Sequence, residues 1–208
     1  MKDQELRLLA YLKSDSLEEA KNAYAFIQGN TAGTNTQSEK DGIYLIYEDG
    51  HHDLYTGDNL DIDKVRYIGI IDGAQRIAVS TAFLGEHPLP TKEGSKDNYP
   101  YKRGSIPAAY DFNGRDNTKH LLEQGDFNFK LKDGEWLPSA GELALIYRHK
   151  GEVNDALDYI GGDTFDKEWV WSSTESAATT AWGIYFSDGY LGGNIKQGSN
   201  SVRAVAAF

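Results

Sequence analysis

The sequence predicts an α+β protein: a twisted antiparallel sheet with two short helices, preceded by an N-terminal helical segment. Three observations lead there. Trp182 to Ser187 alternates large apolar residues with small or polar ones at the period of two that a half-buried strand requires. Two segments after Ser139 carry apolar residues at helical spacing, the first behind a capping signal. Asp72-Gly73 separates two apolar runs and marks a hairpin, because glycine supplies positive φ readily.

Composition bounds the function. The 208 residues hold 21 Lys and Arg against 32 Asp and Glu, a formal charge of −11. Such an acidic balance argues against a broad phosphate-binding face, so no nucleic-acid partner is expected. Four Trp, 13 Tyr and 8 Phe are too many for a disordered chain. No apolar run approaches the ~20 residues of a spanning helix. The absence of Cys removes disulfides, thiolate zinc sites and Cys nucleophiles together, while leaving the compartment open.

Met1 is followed by Lys2, Asp3, Gln4 and Glu5 and then by too little continuous apolar character for a secretory signal. Either that export route is not used or the sequence has been trimmed. Leu6, Leu9, Tyr11 and Leu12 form one short amphipathic pattern. Ser16-Leu17-Glu18-Glu19 is a capping box, and Leu17, Ala20, Tyr24 and Ile27 continue a second helix to Gly29. These helices either pack on the main body or serve as a docking or homo-oligomerisation arm. Asn30 to Lys40 reads as a linker. The expected division is therefore residues 1–36 and 37–208.

Ile43 to Tyr47 is a strand-like run closed by Glu48-Asp49-Gly50, and Tyr67–Ile71 with Arg76–Ser80 forms the hairpin. Gly85 to Pro107 carries four of the five prolines and reads as a long irregular loop. His51-His52-Asp53 lacks a third metal ligand at a recognisable spacing. Asp58, Asp61 and Asp63 lack the alternate-position pattern, central Gly and terminal Glu of a calcium loop. No metal or cofactor is expected. Catalytic signatures are absent, and Glu142, Glu175 and Asp188 each have a local structural explanation, so an enzyme is not expected.

Ser139 and Glu142 have capping-box spacing, followed by Leu143, Ile146 and Tyr147. Val153, Leu157 and Ile160 make a second helix, stopped by Gly161-Gly162. From Trp182 onward, Trp182, Ile184 and Phe186 share one face, and Gly183, Tyr185 and Ser187 the other. Tyr190, Gly192 and Asn194 then alternate with Leu191, Gly193 and Ile195. The first set suits a core. The second suits an exposed recognition face, or simply the wet side of an antiparallel hairpin. Trp136, Trp171 and Trp182 read as core, and Ser172-Ser173-Thr174-Glu175 as a run satisfying backbone groups.

Trp136-Leu137-Pro138-Ser139 with Glu142-Leu143, Trp171-Ser172-Ser173-Thr174-Glu175, Ala181-Trp182 with Phe186 and Asp188-Gly189, and the closing Val202-Arg203-Ala204-Val205 together resemble a C-type lectin-like module. They are most similar to the variable proteins of diversity-generating retroelements of gut bacteria and their phages. Asp111 to Thr118 and the hairpin at Asp72-Gly73 resemble that group as well, so the likeness spans roughly residues 40–208.

The resemblance implies a C-type lectin-like fold. It also implies a 3′ gene end rewritten by adenine-targeted copying, with a variable region at about 176–201. Trp182 and Lys196 would be frame positions there. The expected ligand-contacting residues are Ala177, Ala178, Thr180, Gly183, Tyr185, Ser187, Tyr190, Gly192, Asn194, Gln197, Ser199 and Asn200. The Pro-containing calcium motifs of sugar-binding lectins of this fold are missing, as are the Cys residues of its sulfatase-activating branch. The expected function is recognition of a protein or glycan on a cell surface, from a phage tail or from a bacterial surface. The missing signal segment favours the virion. The alternative is a non-diversified structural or assembly protein of the same fold.

Overall fold

The sheet is organised around the last strand of the chain. The computed structural model describes residues 39–58, 60–91 and 105–208. The expected N-terminal helices lie outside these residues, as do residues 30–38 of the linker and residues 92–104 of the long loop. Asp41–Phe208 makes up one compact unit.

Strand β1 (Gly42–Tyr47) pairs antiparallel with β2 (His52–Leu54) on one side and β3 (Val65–Asp72) on the other. The β3 to β4 (Gln75–His87) hairpin turns at Gly73, whose φ of +60° is the left-handed conformation the Asp-Gly pair predicted. β4 is long because its two edges serve different partners over staggered stretches. Gln75–Ser80 pair with β3 and Ala78–His87 with β9 (Asn200–Ala206), with register breaks after Val79 and Phe83. Gly85 to His87, expected in the loop, therefore belong to a strand.

β6 (Trp169–Ala177), β7 (Thr180–Tyr185) and β8 (Tyr190–Ile195) form an antiparallel meander. It joins β9 through a parallel bridge between Val170 and Ser201. The sheet order is β2-β1-β3-β4-β9-β6-β7-β8, with β5 (Glu135–Trp136) paired to β9. The sheet is open, and its antiparallel character is broken at that one junction, a correction to the fully antiparallel expectation.

Four helices occur among the described residues: α1 (Ser105–Ala108), α2 (Gly114–Leu122), α3 (Ala140–Arg148) and α4 (Lys150–Ile160). The last two match the expected pair. Ser139 Oγ accepts from Glu142 N, and Glu142 Oε2 accepts from Ser139 N at 2.7 Å. Gly161, at φ +72°, ends α4. Helix α2 has no apolar stripe to betray it, because its buried positions are Gly114, Thr118 and Leu121.

The main core lies between one sheet face and α3 and α4. Ile68, Ile70, Val79, Val170, Ile184, Phe186 and Val205 meet Leu143, Ile146, Val153 and Leu157 there. On the other face a smaller cluster joins Leu89, Leu121, Leu137, Trp171, Ala181 and Val202. Arg203, wholly buried, lays its guanidinium 3.8 Å from the Phe83 ring centroid and donates to Ser80 O; burial pushes its pKa down to about 9.

Asp111 ties α2 to the sheet. Its two oxygens accept from Asn113, Asn117 and Thr174, so the Asp111–Thr118 motif closes a buried hydrogen-bond network. Ser172 Oγ donates to Trp182 O and Ser173 Oγ to Leu137 O, which is the backbone-satisfying role read for this run.

Candidate functional site

The alternation on β7 places consecutive residues in different environments. Phe186 is fully buried, stacked on Phe165 with ring centroids 4.3 Å apart, and Ile184 and Trp182 share its side of the sheet. Tyr185 is half-buried on the opposite side. Strand register sets it between Trp169 of β6 and Tyr190 of β8, so three aromatic residues cross three adjacent strands in one row. Trp169 and Tyr185 stack at 5.6 Å with planes 28° apart, and Tyr190 meets Trp169 edge-on at 5.9 Å. Tyr190 is 63% exposed.

The neighbouring row on this face is Gly183 beside Gly192. A methyl group on Gly192 would sit 3.1 Å from Trp169 Cη2 and 2.8 Å from Tyr190 Cε1. One on Gly183 would sit 3.6 Å from Trp169 Cε3 and 2.9 Å from Val170 O. The indole therefore extends from β6 over both glycines. Gly183 and Gly192, expected to contact ligand, are buried, with the Trp169 indole against both and the Tyr190 ring against Gly192. Their lack of a side chain is what lets the indole lie across the strands.

The remaining expected residues fall into two groups. Ser187 is exposed in the β7–β8 turn, beside the aromatic row. Ala177, Ala178 and Thr180 are half-buried at the β6–β7 turn, where Thr180 Oγ1 meets Ser176 Oγ at 2.8 Å. Gln197 and Ser199 are exposed in the β8–β9 turn at that same end, and Asn200 begins β9. The length of β7 separates the groups by about 17 Å at roughly 3.4 Å per residue. Asn194 lies between them, half-buried, its Nδ2 near Gly183 and without a hydrogen-bond partner among the described residues. The expected surface is thus two patches rather than one.

Trp169 was missed because it precedes the expected variable region. The available signal was the same period of two: Trp169 and Trp171 share a face opposite Val170. Trp171 went inward, its Nε1 donating to His87 O at 2.8 Å, because the second core cluster covers that end of the face.

Lys196, expected as a frame position, is wholly buried; its Nζ donates to Glu175 Oε1 and, at 2.9 Å, to Gln124 Oε1. Glu142 caps α3, and burial pushes its carboxyl upward in pKa. Asp188 Oδ1 accepts from Tyr190 N. The carboxylates considered for chemistry thus make structural contacts. A cleft of about 750 Å³, lined by Leu54, Tyr55, Asp155 and Tyr159, lies at the opposite edge of the sheet. No helix among the described residues is long and apolar enough to cross a membrane.

No family profile matches the sequence, and no curated protein matches it. A likeness exists to the crystal structure of a fimbrial protein from Bacteroides ovatus ATCC 8483, with a TM-score of 0.57 at 15% identity. It covers 82% of this chain and 49% of that one, so the chain spans about half the length of the fimbrial protein. At this identity the likeness is one of fold.

Proposed function

We propose that this chain is a non-catalytic ligand-binding protein displayed at a cell surface, using a C-type lectin-like scaffold to present its C-terminal strands. The observation that carries the reading is the Trp169–Tyr185–Tyr190 row: large aromatic groups held on the side of the meander away from Phe186 and the main core. Monomeric proteins seldom leave such groups together at the surface without a partner. The fold likeness to a fimbrial protein supports display at a cell surface over a virion. Within this reading, residues 176–201 are the diversified segment, and metal plays no part in recognition.

Two experiments test it. Residues 177, 178, 180, 185, 187, 190, 197 and 199 are randomised together, and folded members are sorted by protease resistance. A display surface predicts that most members fold; a library that mostly unfolds ends the reading. Sequencing the DNA downstream tests diversification: a near-copy of the gene's 3′ end, differing at adenines and accompanied by a reverse transcriptase, is the expected result.

The second reading is an assembly protein of the same fold. It is favoured by β8, an edge strand with Tyr190 and Ile195 exposed and no charged residue to blunt it. Concentration-dependent growth of oligomers, abolished by Ile195→Lys, would select it.

A further inference from the structure

We infer that the Trp169–Tyr185–Tyr190 row is a stacking platform for the apolar face of a neutral pyranose sugar, and that it acts without a metal ion. The inference rests on the ligand-binding reading above and names the ligand class of that site.

Its chemistry is flat and apolar with polar tips. The indole crosses the glycine pair, Tyr185 lies nearly parallel to it, and Tyr190 stands at its edge. Among the described residues neither the Tyr185 nor the Tyr190 hydroxyl has a hydrogen-bond partner, so both retain a donor and acceptors for a ligand. The row and its glycine floor contain no charged side chain, and Asp188 is turned back onto Tyr190 N. A pyranose ring presents the complement: a patch of C–H groups on one face and hydroxyls around its rim.

Magnitudes separate this occupant from others. Three such aromatic side chains cover about 450–750 Å² when wholly free, at roughly 150–250 Å² each. Trp169 and Tyr185 are already half-buried. What remains falls short of the ~800 Å² per partner of a stable protein interface, and the second expected patch lies at the far end of β7. The base of a nucleotide also stacks on aromatics, but the phosphates attached to it would meet a chain of net charge −11. A neutral sugar needs neither a wide interface nor a basic rim.

Trp169 precedes the segment read as variable, whereas Tyr185 and Tyr190 lie within it. The platform thus combines one ring held by the scaffold with two that the variable segment can exchange, so ring stacking is retained while the sugar preferred is altered.

The test is affinity electrophoresis of the full chain through gels containing a neutral β-glucan, a mannan, a galactan or a xylan, with EDTA throughout. At least one gel should retard the protein. Tyr190→Leu should weaken that retardation about ten-fold, equivalent to ~1.4 kcal/mol, while Tyr190→Phe keeps most of it. Trp169→Ala should abolish it and Trp169→Phe restore part; if Trp169→Ala fails to fold, the Tyr190 pair decides. Asp155→Ala, at the exposed opposite edge of the sheet, should leave it unchanged. Passage through all four gels without retardation overturns the inference, as does retardation that appears only when calcium replaces EDTA or that is indifferent to Tyr190→Leu. If the sugar gels fail but a protein ligand is bound through Tyr185 and Tyr190, only the sugar inference falls. A randomised library that does not fold removes the ligand-binding reading itself.

Discussion

Lys196 and Glu175 form an ion pair inside the protein, 21 residues apart in sequence, with Lys196 wholly buried and the Glu175 side chain 6% exposed. Gln124 bridges them, accepting from Lys196 Nζ and donating to Glu175 Oε1, and His120 Nε2 lies 3.5 Å from the other carboxylate oxygen. Burial pulls the Lys196 pKa downward, opposed by Glu175. The pair locks the start of the β8–β9 turn to β6, and so fixes the base of the second patch.

Breaking this pair one side at a time should therefore be costly. Lys196→Met leaves a buried carboxylate without its cation and should cost about 3–5 kcal/mol. Adding Glu175→Gln to it should recover much of that loss. A double-mutant cycle measured by urea melts is the check, and additive single effects would show that the charges are not coupled.

Phe186→Ala should cost about 3–5 kcal/mol through lost burial and the cavity left beside Phe165. Tyr185→Ala should cost about 0.5–1.5 kcal/mol, the worth of its stack with Trp169, because its ring is only half-buried. Denaturant melts on the two variants decide the matter. Equal losses would mean that the Tyr185 face is core.

The glycine floor predicts an asymmetry. A Cβ at Gly183 meets the Val170 backbone carbonyl, which β-sheet pairing holds, whereas a Cβ at Gly192 meets the rings of Trp169 and Tyr190. Gly183→Ala should destabilise by about 1–3 kcal/mol, as overpacking against fixed atoms does. Gly192→Ala should cost less in stability yet shift the Trp169 emission, since the exposed Tyr190 ring can move aside. Thermal melts and tryptophan fluorescence measure both, and a larger stability loss at Gly192 would contradict the floor.

Tyr67 makes alkaline stability titratable. Burial, with Glu135 accepting its hydroxyl at 2.8 Å, raises its pKa from 10.0 to about 12. Between those values the native state holds a proton that the unfolded chain has lost. The stabilisation is fully present below about pH 10 and disappears as pH rises through about 12. Tyr67→Phe should flatten that decline, leaving a remnant from Tyr47 and Tyr55, whose pKa values are also raised by burial. Urea midpoints across the alkaline range test this; an unchanged slope would sink the assignment.

What the sequence determined by itself was local. The inward side of β7, the Ser139–Glu142 cap, the Gly161 stop and the turn at Gly73 follow from periodicity and from backbone demands within a few residues. The tertiary structure decided what those segments meet. Period two told that Gly183 and Tyr185 share a face, but not that Trp169 of another strand would lie across the glycine and hide it. Helix α2 escaped notice because Leu121 is the one apolar residue among its buried positions, beside Gly114 and Thr118, and Gly114 is small where Trp136 and Glu142 crowd against it. β9 found its place between β4 and β6, rather than beside β8, through pairings more than a hundred residues apart on the β4 side and 31 apart, Val170 to Ser201, on the β6 side. Alternation along a strand reports which side chains point inward. The choice of neighbouring strands is made by burial summed over the whole sheet, and no single segment contains that sum.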